Sequence, residues 1–135
     1  MRHFGRLNHV AIAVPDLEQA AELYRSVNGN ITTVQELPEY GVKVVFVELS
    51  NTRLELMTPL GDHSEIADFL EKNPSGGLHH ICFEVENILE MRDQLIEEGI
   101  TILGDGNPKP GARGKPVLFI DPQNFDGTLV ELEEQ

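Results

Sequence analysis

The sequence predicts an α+β fold built from two tandem β-α-β-β-β modules. Three observations predict it. A strand pattern occurs twice, as LNHVAIAV at 7–14 and LHHICFEV at 78–85. Each copy runs into a capped, amphipathic stretch that ends at a glycine. Each half closes on an apolar strand, an Asn-containing turn and a strand reading L-E-L or V-E-L. Three features repeated in one order are what a duplicated supersecondary unit leaves in a sequence.

The first module opens on the strand at 7–14. Asp16 then stands as a helix cap, with Gln19 three residues on. Leu17, Ala20, Ala21, Tyr24 and Val27 recur at helical spacing, and Gly29 supplies the stop. A short strand is expected at about Ile31–Leu37, followed by a hairpin over 44–57, VVFVELSNTRLELM. A helical linker, SEIADFLEKNP, has Ser64 as cap and Pro74 as terminator. The second module opens at 78–85. Asn87 caps its helix, Glu90 takes the capping-box position, Ile88, Met91 and Leu95 share one face, and Gly99 ends it. A short strand at about Thr101–Leu103 and a hairpin over 117–133, VLFIDPQNFDGTLVELE, complete the copy. The expected layout is one domain: module 1 at about 5–60, a linker at 61–75 and module 2 at 76–135.

Composition narrows the partners. Ten basic and 23 acidic residues in 135 give 10 − 23 = −13, and 40% of residues are hydrophobic, an ordinary globular share. So acidic a chain lacks the cationic surface that nucleic acids and anionic membranes require. No apolar run is long enough to span a membrane, and MRHFGRLNH lacks the apolar core of a secretory signal. The single cysteine, Cys82, fits a reducing compartment. Bacterial cytoplasm is the expected location, with a mature mitochondrial matrix form as the alternative.

Strand parity then picks out four side chains. Val10, Ile12 and Val14 share the face expected to pack on the helix, which leaves His9, Ala11 and Ala13 on the other. In the second copy Ile81, Phe83 and Val85 face the helix, and His80, Cys82 and Glu84 face away. Glu55 lies between Leu54 and Leu56, and Glu131 between Val130 and Leu132. His9, Glu55, His80 and Glu131 therefore share the face opposite the apolar layer, beside the small residues Ala11, Ala13 and Cys82. Two imidazoles and two carboxylates suit a borderline divalent cation, with positions left for water or substrate. His79 points by parity to the helix side. His3 and His63 read as surface, and Cys82 reads as a small cavity-lining residue without an activating partner.

These residues carry a resemblance. The paired modules with His9, Glu55, His80 and Glu131 resemble the vicinal oxygen chelate superfamily, whose curved mixed sheet surrounds a metal-binding cleft. LNHVAIAVPDLE, PEYGVKVVFVEL, LELMTPLG, GGLHHICFEV and GTLVELE are similar, in order, to the methylmalonyl-CoA epimerase family over about residues 6–134. The resemblance implies His9, Glu55, His80 and Glu131 as ligands of a divalent metal, with Co2+ first and Zn2+, Mn2+, Ni2+ or Mg2+ as alternatives. It also implies a homodimer. The implied activity is epimerisation between (2R)- and (2S)-methylmalonyl-CoA, by α-proton removal and return through a metal-stabilised enolate.

Several bacterial members place a non-ligand glutamate where this chain has Val44. Glu55 and Glu131 are therefore expected to act as the two opposed bases as well as ligands. Lys109, Arg113 and Lys115 fall within seven positions of a Gly- and Pro-rich loop, and are expected to bind the anionic CoA substrate. The alternatives are another enzyme of the superfamily, such as a glyoxalase, and a non-enzymatic small-molecule binding module.

Overall fold

Two amphipathic patterns, period two in the strands and 3.6 in the helices, place the core on one face of each sheet segment. The structure is a computed structural model and describes residues 3–62 and 64–135. His63, expected at the surface, lies outside the described residues. The chain divides into two units, residues 9–79 and residues 3–8 with 80–135.

The first unit contains most of β1 (Leu7–Ala13), then α1 (Leu17–Val27), β2 (Gln35–Leu37), β3 (Val42–Glu48), β4 (Arg53–Pro59) and α2 (Glu65–Lys72). Its strand order is β2-β3-β4-β1. β1 runs parallel to β4, and the other pairs are antiparallel. The Asp16 side chain accepts the Gln19 N–H at 3.0 Å, and Ser64 accepts that of Ala67 at 3.1 Å. Each cap satisfies one of the N–H groups that a helix start leaves unpaired. Val14, Leu17, Ala21, Val45, Val47 and Leu56 form the core, with Ile12, Tyr24 and Ile31 against it.

The second unit contains most of β5 (Gly77–Val85), then α3 (Ile88–Glu97), β6 (Lys109–Pro110), β7 (Pro116–Ile120) and β8 (Val130–Glu134). Its order is β5-β8-β7-β6, again with one parallel pair, β5 with β8, and antiparallel pairs elsewhere. Asn87 accepts the Glu90 N–H at 3.0 Å. Val85, Ile88, Met91, Leu95, Leu118, Ile120, Val130 and Leu132 are buried together. The sequence repeat is thus a repeat of topology.

The short strands depart from expectation. Regular pairing in 31–37 is confined to Gln35–Leu37, and Ile31 makes one bridge to Val47. Thr101–Leu103 forms no regular strand; Ile102 makes one bridge to Ile120. Gly104 and Gly106, both at positive φ, turn the chain away there. The edge strand is instead Lys109–Pro110, in a stretch, NPKPGARGKP, whose prolines and glycines read as loop. Proline is tolerated there because an edge strand leaves one side unpaired. Among the described residues no helix is long and apolar enough to cross a membrane.

Candidate functional site

Parallel pairing in the first unit brings His9 to Glu55. Ala11 lies opposite Glu55 in the β1–β4 register. Its single methyl leaves room for His9, two residues back on the same face, to reach the carboxylate. His9 Nε2 stands 3.3 Å from Glu55 Oε1. The second unit builds the same pair. Cys82 lies opposite Glu131, and His80 Nε2 stands 3.0 Å from Glu131 Oε1. The four side chains are between 5% and 9% exposed. A carboxylate so buried needs a cation or a set of donors, since its desolvation costs several kcal/mol or more. Inside each unit the histidine and glutamate thus lie side by side, with a small residue opposite each glutamate.

The competing residues fall elsewhere. The His79 ring stands edge-on to Phe69 of α2, with centroids 5.2 Å apart. His3 is exposed. Cys82 is fully buried, with Sγ 3.9 Å from the Phe83 carbonyl oxygen. Val44 is fully buried and pairs with Met57, so an apolar side chain holds this position on β3. Glu48 ends β3 opposite Arg53, beside the turn closed by the Leu49 N–H on Thr52.

Lys109, Arg113 and Lys115 are all exposed in the second unit. The Gly111 N–H donates to the Lys115 carbonyl at 2.9 Å, which closes a tight hairpin tip around Arg113. Lys109 Nζ lies 3.1 Å from Asp105 Oδ2. The Asn107 N–H, and after it the Lys109 ammonium, hold the Asp105 carboxyl below its ordinary value.

One polar cluster was not anticipated. The Asn8 amide donates to Glu84 Oε2 at 3.1 Å and to Glu133 Oε2 at 3.2 Å. Glu84 and Glu133 are register partners two residues beyond Cys82 and Glu131 on the same face. The alternation V-E-L-E at 130–133 already put Glu133 on the face of Glu131. Nothing in the sequence linked either carboxylate to Asn8.

The chain is thus a duplicated β-α-β-β-β protein with a buried histidine–glutamate pair in each unit. The profile of the Glyoxalase/Bleomycin resistance protein/Dioxygenase superfamily matches residues 8–119. A curated ethylmalonyl-CoA/methylmalonyl-CoA epimerase of Cereibacter sphaeroides is 60% identical over 131 residues, 96% of this chain and 98% of that protein. The mitochondrial methylmalonyl-CoA epimerase of Homo sapiens is 53% identical over 133 residues, covering 98% of this chain and 75% of that protein. The crystal structure of methylmalonyl-CoA epimerase from Mycobacterium tuberculosis superposes with a TM-score of 0.89 at 29% identity, over 96% of this chain and 87% of that one. The chain belongs to this superfamily, whose α+β vicinal oxygen chelate fold it has, and within it to the methylmalonyl-CoA epimerase family of isomerases.

Proposed function

We propose that this chain interconverts (2R)- and (2S)-methylmalonyl-CoA with a divalent cation held by His9, Glu55, His80 and Glu131. The observation that carries the reading is the duplicated, buried imidazole–carboxylate pair, in a chain 60% identical to a named epimerase. The donor set fits the cation. Each pair offers one nitrogen and one carboxylate oxygen, and two buried glutamates supply the negative charge that a divalent cation neutralises. When bound, the cation supplies Lewis acidity toward the oxygens of a thioester and a carboxylate carried on one carbon.

The chain's own task is to move a proton. Glu55 as carboxylate accepts the C2 proton from one enantiomer, and Glu131 as carboxylic acid returns a proton to the opposite face. Turnover in the other direction exchanges their roles; each turnover leaves the proton on the opposite glutamate, and exchange with water restores the starting state, so atoms and charge balance over the cycle. The fully buried Val44 leaves no carboxylate at the position where some relatives carry one, which favours the ligand glutamates for this work. Lys109, Arg113 and Lys115 hold the CoA phosphates, in a chain whose net charge of −13 otherwise repels them. Cobalt is the first candidate for the cation. The assembly is a homodimer, as family resemblance suggests, and light scattering should return twice the chain mass. Bacterial cytoplasm is the proposed location, with a mature mitochondrial matrix form as the alternative.

The test is α-proton exchange of methylmalonyl-CoA in D2O, followed by NMR with metal-stripped and cobalt-reloaded protein. Metal-dependent exchange above the uncatalysed rate is expected. Folded, metal-loaded protein without exchange overturns the reading, and turnover of a glutathione hemithioacetal instead would point to a glyoxalase.

A further inference from the structure

Each histidine–glutamate pair stands against a phenylalanine, and the two rings occupy equivalent places. Phe46 on β3 is the register partner of Glu55, and Phe119 on β7 is the register partner of Glu131. The Phe46 and His9 rings lie 6.1 Å apart at 79°, and the Phe119 and His80 rings 5.5 Å apart at 85°. Both are edge-to-face arrangements of the kind aromatic rings favour.

The sequence offsets show that pairing builds this arrangement. They are 80 − 9 = 71 for the histidines, 119 − 46 = 73 for the phenylalanines and 131 − 55 = 76 for the glutamates. The turns differ in length between the units, yet strand register restores the same three side chains.

The backbones behind the rings are also tied down alike. In the first unit the Phe46 N–H donates to Thr32 Oγ1 and its carbonyl accepts the Thr32 N–H, both at 2.9 Å. In the second the Phe119 carbonyl accepts the Leu103 N–H at 2.9 Å. The short segments that fail to form regular strands therefore anchor the two aromatic residues. Arg53 adds a second support in the first unit, with its guanidinium 5.1 Å from the Phe46 ring centroid.

We propose that Phe46 and Phe119 are positioning residues that fix the imidazoles of His9 and His80 in the rotamers that ligate the cation. A phenyl ring offers no ligand atom, so its contribution is orientation: a flat wall that an aliphatic side chain does not reproduce. This rests on the cation-site reading above. Outer contacts that orient a ligating histidine typically change metal affinity by about 10- to 100-fold.

Two measurements test it on Phe46→Leu, Phe119→Leu and the corresponding tyrosine variants. In metal-free protein, the imidazole NMR resonances should respond locally. Phe46→Leu is expected to move those of His9 and spare those of His80, and Phe119→Leu the converse. Arg53→Gln should affect His9 alone. In cobalt titrations, each leucine variant should bind about tenfold more weakly and alter the visible cobalt spectrum, while tyrosine restores both. A purely structural role would lower the melting temperature and leave affinity and spectrum of the folded fraction unchanged, which overturns the proposal. If wild-type protein binds no cobalt, the cation-site reading fails by itself. The metal-free resonances then decide whether the rings orient the histidines, and unchanged resonances overturn that as well.

Discussion

At the scale of single residues, the two glutamates are asked to do two jobs, and one substitution separates them. Glu55→Gln keeps the shape and an oxygen for ligation but cannot take a proton. Removing one general base typically costs about 10²- to 10⁴-fold in rate. Turnover of the Gln variant should fall by that order while cobalt binding is largely kept, checked by kcat alongside a metal titration. Near-normal turnover with metal bound would falsify the two-glutamate mechanism.

A second pair of residues is expected to tune substrate capture. Lys109 is engaged by Asp105, and both side chains are more than half exposed. Solvent and salt screen so exposed a pair, so phosphate can displace it. Asp105→Asn should lower KM for the CoA ester. Changing Lys109, Arg113 and Lys115 together to Gln should raise KM and flatten its dependence on salt. The sign of the pH effect follows from the lowered Asp105 value. The contribution of this tie to the loop is present above the ordinary value of 3.8 and is lost as pH falls through the still lower folded value. NMR titration of the Asn107 amide should show that midpoint below 3.8.

The four ligand candidates were legible in the sequence because parity is a property of one strand. Phe46 and Phe119 were not, since their role depends on which residue lies opposite across a hairpin. That register is set by turns whose geometry the sequence only suggests.

At the scale of elements, caps and stops were the most legible features. Asp16, Ser64 and Asn87 each accept the N–H three residues on. These are local chemistry, written in adjacent letters. The edge strands were the least legible, because a two- or three-residue strand carries too little alternation to stand above turn signals. The expected strand at 101–103 and the observed one at Lys109–Pro110 differ for that reason. One connection is held by steric room. Gly76 has φ +90, and a Cβ there would lie 2.6 Å from the Ala13 carbonyl oxygen. That oxygen is backbone and cannot move aside. Gly76→Ala should destabilise the protein by about 1–3 kcal/mol through strained backbone and forced separation of the segments. Urea denaturation checks this, with Gly61→Ala as the comparison. Gly61 also has positive φ but meets nothing within 4 Å, so only the strain component should appear.

At the scale of the whole molecule, duplication gives each unit a histidine and a glutamate, and either of two stoichiometries could follow. Two ligands in each unit could hold a weakly bound cation apiece. Four ligands could instead serve one cation. The proposed function requires the second, because four protein ligands on one ion still leave positions for a substrate's two oxygens. The two cases differ in coupling. Residues that ligate one ion act as a unit, so removing a second adds little to the loss of the first. His9→Ala and His80→Ala should each abolish the same binding event, and the double variant should lose no more than either single one. Calorimetry should accordingly return one cobalt per chain for the wild type. Two cobalt ions per chain, with each single variant retaining one, would mean that the repeat made two independent sites. The paired glutamates would then have no shared substrate between which to pass a proton, and the epimerase mechanism would have to be carried by one unit alone.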